Sequence, residues 1–248
     1  MHHPAADRAA APQAAAWVEV RLPAGRVVLR GTEVPVPRLL SLAPRLPSDA
    51  RAAAAVAAAV VTEGNEHLSV AITDPGGRGR LGQVLVEVAV PPDAHVTVDA
   101  GEAEVVCTGM LGGLTASTSS GSVHAEDVRG PLSVRTGRGS VTVARCAGPT
   151  SVTTSSGVIV LREVTGTATL TDRAGDVHVW WLSATAEVVT ASGNVRLGWH
   201  RDRPVHLDLT TTGGRLQVSV PDDPQAPTAV RVSSIAGDVR VEPADPLG

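Results

Sequence analysis

Apolar and polar residues alternate at every second position over most of this chain, and from about residue 101 the alternation itself recurs. "TSSGSVHAEDVRGPLSVRT" (118–136) returns eighteen residues later as "TGRGSVTVARCAGPTSVTT" (136–154). Glycine stands at 121, 139, 157, 175 and 193, a strict 18-residue step, with Gly101 before it and Gly214 and Gly237 after it at wider intervals. Two residues beyond these glycines come Val123, Val141, Ile159, Val177, Val195, Leu216 and Val239. Four beyond come Ala125, Val143, Leu161, Val179, Leu197, Val218 and Val241. A second stretch repeats too: Gly130, Gly148 and Gly166 stand nine residues after their glycine, and Val134, Val152, Leu170 and Val188 thirteen after. Alternation at spacing two is a strand with one face inward, so each unit carries at least two short strands.

A unit of that size cannot bury its inner face alone. Stacking successive units sets equivalent side chains above one another and closes a continuous apolar core. The pattern therefore predicts an all-β fold, a single-stranded β-solenoid (β-helix) of ~18-residue coils. Seven or eight coils at about 4.8 Å each make a rod of roughly 35 to 40 Å. Two unequal strand segments leave both the cross-section, triangular or flattened, and the hand of the solenoid open.

Ahead of the repeats the pattern is less regular. Residues 1–16 are rich in Ala and Pro and read as a disordered tail. "WVEVRLPAGRVVLRG" (17–31) alternates like a strand pair around a Pro-Ala-Gly turn. "PSDARAAAAVAAAVV" (47–61) reads as a helix with Ser48 as its N-cap. "HLSVAI" (67–72) is a strand, "DPGGRGRLG" (74–82) a flexible turn, and 83–101 a return to strand alternation broken at Pro91 and Pro92. The organisation that follows is a tail (1–16), a β-rich N-terminal capping region with a helix near 48–61 (17–82), the solenoid repeats (83–242) and a short tail (243–248). Three residues before the glycines sit Thr118, Thr136, Thr154, Asp172, Thr190, Thr211 and Ser234, short oxygen-bearing side chains suited to bonding backbone amides left open by a bend.

Composition narrows the chemistry. The chain has no Lys, so all 21 basic residues are Arg, and there is no Phe or Tyr. That removes a Schiff-base nucleophile, a phosphate-loop Lys and a Ser-Lys dyad. Four Trp and a net charge of −4 supply neither stacking platforms nor an electrostatic footprint for nucleic acid. Two cysteines, Cys107 and Cys146, make no disulfide framework or four-ligand metal site, and fall in or near inward columns as small core residues. The first residues lack a basic stretch leading into an apolar run, and no apolar run of membrane-spanning length occurs. A cytoplasmic location is the default expectation, with surface association not excluded.

The signature Thr-x-Ser-Gly-(Asp/Asn/Ser)-Val-x-Val, here "TSSGSVHA", "TSSGVIVL" and "TASGNVRL", resembles a widespread bacterial family of β-strand-repeat proteins. Its members are labelled candidate adhesins or a domain of unknown function. "VEVAVPPDAHVTVDAGEAEV" resembles the strand that leads into the repeats of that family, and the resemblance spans about residues 17 to 241. It implies a β-solenoid with surface or envelope roles and no catalytic residues to carry over.

Any site must come from outward-facing residues, because the interior is packed. Six residues after the glycines stand Asp127, Arg145, Glu163, Trp181 and Trp199. The first three alternate in charge and predict a surface ion-pair ladder. Trp181 and Trp199 are expected on neighbouring coils, near enough to stack, with Trp180 beside them and His200, Arg201 and Arg203 at the edge. Trp and Arg together resemble a recognition surface; the plainer alternative is that the inserted loop "HRDRP" folds over the Trp residues and closes a satellite core. Catalytic arrangements are weaker. Asp172 and Asp176 with Glu163 could imitate a glycosidase carboxylate site, but Thr or Ser in neighbouring coils at the Asp172 position points to turn capping. His124 and His178 share a column three coils apart, roughly 14 Å by strand spacing, too far for one metal. His2 and His3 are a tail pair, and the calcium-binding nonapeptide of β-rolls is absent. The pattern thus points to a non-catalytic binding or scaffold protein, adhesin-like, using no cofactor and presenting a flat stacked surface to a protein or glycan partner. A self-assembling, filament-forming solenoid is the alternative, and an enzyme acting on polysaccharide a more distant one.

Overall fold

The computed structural model describes residues 16–73 and 82–244. His2, His3, nearly all of the tail at 1–16, the turn from 74 to 81 and the last four residues lie outside the described residues. In chain order the elements are β1 (Trp17–Gly31), β2 (Arg38–Pro44), α1 (Ala50–Ala57), β3 (Val60–Glu63), β4 (His67–Ala71), β5 (Val84–Val90) and β6 (His95–Leu111). The repeats supply β7 (Gly113–Ser120), β8 (Val123–Val128), β9 (Leu132–Arg138), β10 (Val141–Cys146), β11 (Thr150–Ser156), β12 (Ile159–Val164), β13 (Ala168–Ala174) and β14 (Val177–Leu182). The last third holds β15 (Ala186–Ser192), β16 (Val195–Trp199), β17 (His206–Thr211), β18 (Leu216–Val218), β19 (Ala229–Ala236) and β20 (Val239–Pro243).

The columns read from the sequence are the columns of the fold. Val123, Val141, Ile159, Val177 and Val195 are successive partners in parallel register, and so are Leu132, Thr150, Ala168 and Ala186 in the other row of strands. Each repeat therefore lays one strand on each of two parallel faces, whose inward side chains meet in one continuous core. A glycine joins the faces because the bend needs it. Gly139 has φ +147°, and a Cβ there would lie 2.1 Å from the carbonyl oxygen of Gly121 in the layer below. Of the hydroxyls beside this bend, those that bond act as donors to carbonyls rather than as acceptors from amides, while those of Thr154, Thr190 and Ser234 are buried without a partner. Thr118 Oγ1 donates to Gly101 O at 2.9 Å and Thr211 Oγ1 to Gly237 O at 3.1 Å.

Both ends depart from simple succession. β1 is one continuous strand spanning both faces, and it lies between the β4–β5 layer and β6. At the other end β19 pairs with both β15 and β17, and β20 with both β16 and β18. The chain thus runs out to β17–β18 and comes back to insert β19–β20 beneath it. In space the layers are β4–β5, β1, β6, β7–β8, β9–β10, β11–β12, β13–β14, β15–β16, β19–β20 and β17–β18, eight from β6 onward as the repeats predict and two more from the N-terminal region. Nine steps at ~4.8 Å span about 43 Å.

Among the described residues only one end is covered. β3 and β2 pair antiparallel with the far edges of β4 and β5, and α1 buries Ala52 and Ala55 against the core. Alanine favours the helix, but its N-cap is Asp49 rather than Ser48, accepting from Arg51 N at 3.1 Å and Ala52 N at 3.0 Å. The helix stops at Ala57 because Val60 and Val61, β-branched, join β3 instead.

Candidate functional site

At the end of its second strand each regular repeat turns a corner on which two consecutive residues face out. Glu126 and Asp127, Ala144 and Arg145, Arg162 and Glu163, and Trp180 and Trp181 hold these places before the chain turns inward at Val128, Cys146, Val164 and Leu182. The expected ladder forms on this corner: Arg145 reaches Asp127 at 3.3 Å and Glu163 at 3.1 Å. The bond to Glu163 and the charges of both carboxylates hold its guanidinium more firmly protonated than usual. Glu163 stands in register with Trp181, so the ladder runs directly into the tryptophans.

The next layer breaks the corner by one residue. Leu182 pairs with Trp199, not with the residue after it, and Gly198 alone takes the place of two. Gly198 sits so close beneath the previous layer that a Cβ would lie 2.1 Å from Trp180 O. Trp199 consequently points inward and is 1% exposed. Its indole Nε1 donates to Arg203 O at 2.8 Å, and Arg203 Nη1 donates to Ser183 O at 2.8 Å, so the loop after Trp199 folds back over it. The stacked Trp181–Trp199 pair therefore does not exist: Trp199 joins the main core, sealed on its outer side by the backbone of Arg203.

What stays outside is a smaller aromatic corner. Trp180 is 40% exposed, with the Arg196 guanidinium 5.6 Å from its ring centroid. Arg196 is anchored by Glu242 at 2.6 Å, and Glu242 also binds Arg240 at 3.0 Å. His178, Trp180, Arg196, Glu242 and Pro243 line a shallow hollow. Trp181 meets His200 edge-on, centroids 4.8 Å apart, and with Arg201 and Asp202 borders a second hollow. Ala244 floors both. Of the six residues proposed from sequence, Trp180, Trp181, His200 and Arg201 share this corner, while Trp199 and Arg203 support it from behind. Arg196 and Glu242 were missed. They meet only because β20 inserts beside β16, a neighbour that the repeat pattern does not reveal.

The carboxylates singled out for chemistry are not assembled. Asp176 accepts from Asn194 N at 2.7 Å, and Glu163 lies with Arg145 at the opposite end of the strand from the glycine bend. Asp172 is 2% exposed in the threonine column, with no hydrogen bond to either carboxylate oxygen. Burial raises its pKa above the ordinary carboxylate value, only partly offset by the nearby amides of Ala174 and Arg173. Cys107 and Cys146 are free and buried, and desolvation pushes both thiols up to about 12. His124 and His178 stand three layers apart in one column. Among the described residues no group of three His, Cys, Asp or Glu side chains is placed to hold a metal ion, and no helix is long and apolar enough to cross a membrane.

Fold and corner together define a β-solenoid protein with an aromatic, Arg-edged surface near one end. The chain belongs to the Toastrack DUF4097 family, whose model matches residues 60–245. A search of curated proteins finds no match. Among solved structures it is similar to a Clostridium sporogenes protein described as a candidate cell adhesion protein, with 9% identity, 92% of each chain covered and a TM-score of 0.33.

Proposed function

We propose that this Toastrack chain is a non-catalytic binding scaffold that presents the Trp180–Trp181 corner to a protein or glycan partner. The observation that carries the reading is Trp180. It is a large aromatic left exposed beside Arg196, at a corner where the preceding repeats place Glu126, Ala144 and Arg162. An aromatic face offers a sugar ring or an apolar side chain a rigid platform, and a neighbouring guanidinium adds directed hydrogen bonds. The ion-pair ladder and the hydroxyl-bearing outer columns serve as a solvated wall that sets the register of the layers. Cell fractionation, recovering the protein at the envelope or in the cytoplasm, tells where that partner is to be sought.

The test compares affinity capture from lysate and binding to a glycan panel for the native chain and for Trp180→Ala with Trp181→Ala. Loss of specific partners from the double variant, with its unfolding transition unchanged, supports the corner. An unchanged set of partners removes it. Trp199→Ala has no place in that comparison, because it would empty the core.

A further inference from the structure

The uncovered end of the stack is the largest feature that the proposed function does not use. Leu207 and Leu209 lie in register above Val230 and Val232, and Leu216 and Val218 above Val239 and Val241. The lower residues are 0 to 1% exposed, whereas Leu216 and Val218 are 49% and 44% exposed, because among the described residues no layer lies above them. The outer strand edge is open as well. His206 N and Thr212 N bond inward to Thr228 O and Ser234 O, so by the alternation of a parallel ladder the backbone groups of Leu207, Leu209 and Thr211 face outward. The 219–228 loop covers only the beginning of that edge: Asp222 accepts from Leu207 N at 2.8 Å, and Asp223 N donates to Val205 O at 2.8 Å. Leu209 and Thr211 are left, beside a turn that carries Arg215, whose side chain takes part in no ion pair among the described residues.

We propose that this end docks on the same end of a second copy, as a closed two-fold dimer centred on Thr210. A two-fold axis normal to the β17 face sets Leu209 opposite Thr211 of the other copy. The free amides and carbonyls of both then complete one antiparallel ladder. The same rotation exchanges the two corners of the end. It carries the loop with Asp222 and Asp223 of each copy over the turn with Arg215 of the other, acid against base twice, and the loop that would block a parallel stack clears the antiparallel one. Leu216 and Val218 of both copies then cover each other. A two-fold contact occupies this end of both copies completely, so it closes at two copies rather than continuing into a filament. Only the end layer of each copy enters the contact, so the dimer is a weak, concentration-dependent one.

Sedimentation equilibrium of the full chain over a wide concentration range tests this, read together with cross-linking. Thr210→Cys places two thiols on a non-hydrogen-bonded antiparallel pair, with Cα atoms about 4.5 Å apart, close enough for a disulfide. Oxidation should convert it quantitatively to a covalent dimer, since Cys107 and Cys146 are buried. Arg215→Glu and Asp223→Arg should each weaken self-association at least tenfold, and an equimolar mixture of the two should associate as well as the native chain. A chain that stays monomeric while Thr210→Cys fails to cross-link overturns the proposal. So do species larger than a dimer, or association that survives Leu216→Lys with Val218→Lys.

Discussion

At the N-terminal end of the stack the outermost layer has both strands paired on their far side, and Ala52 and Ala55 sit over the core; Leu68 in that layer is 0% exposed. At the C-terminal end the outermost layer is made of the same kinds of residue in the same columns, yet Leu216 is 49% exposed. Neither side chain differs in what it could bury. What differs is the presence of a further layer, and in a solenoid that alone decides whether an apolar column is core or surface. A cap buries the columns beneath it, while an open end keeps both its apolar face and its unpaired backbone groups available. The two ends also share a device. At each, the segment nearest the terminus is threaded into the second layer, so β1 and β19–β20 are held from both sides and the end layer is formed by the excursion between.

The largest expected effect sharpens the line between inside and outside near the open end. Trp199→Ala should cost about 3 to 5 kcal/mol in urea unfolding, as for other fully buried aromatics. Trp180→Ala, in the adjacent layer yet exposed, should fall within about 0.5 kcal/mol of the native chain. Next comes the comparison of the ends themselves: Leu68→Ala should cost about 2 to 5 kcal/mol, and Leu216→Ala a small fraction of that in the dilute monomer. Equal losses at the two positions would mean that the C-terminal end is covered.

A smaller effect tests the column between the ends. Asp172 occupies a threonine place where Thr118 and Thr136 donate to carbonyls, which a carboxylate cannot do. Its raised native pKa means that the folded state holds the proton to higher pH than the unfolded one. Stability should therefore fall as pH rises from below the ordinary carboxylate value through the raised native one, and stay reduced above it. Asp172→Thr should be more stable than the native chain at neutral pH, with the gap in urea midpoint closing as the pH is lowered. Arg145→Ala should matter least, under about 1 kcal/mol, because its ladder is solvated.

Much of this was legible in the sequence because the strand period and the glycine step repeat without interruption from Gly121 to Gly193. Each column therefore announced its own face. The spatial order of the last layers was not legible: Val230, Val232, Val239 and Val241 fit the columns equally well beside β16 or beyond β18, and a repeat pattern does not say which neighbour it meets. Nor was the inward turn of Trp199, for a physical reason visible afterwards. Counting on in register would put His200 in the column of Val128, Cys146, Val164 and Leu182, and a half-solvated imidazole is a poor occupant of an apolar core. Shortening the corner at Gly198 resolves the conflict by moving the indole in. Asp49 displaced Ser48 as the helix cap because its second carboxylate oxygen also accepts from Gln83 N at 3.2 Å, a partner 34 residues away that no local pattern reveals.

The measurement that bears most directly on the account is residue-resolved amide hydrogen exchange at dilution, comparing β17–β18 with β19–β20. If the C-terminal segment is threaded beneath an open end layer, the amides of Leu209, Thr211 and Val218 should exchange rapidly while those of Val230, Val232 and Val239 stay protected. The reverse order, with 229–241 exchanging first and 206–218 protected, would show that the layers follow the chain and that the open end is not where it is placed here.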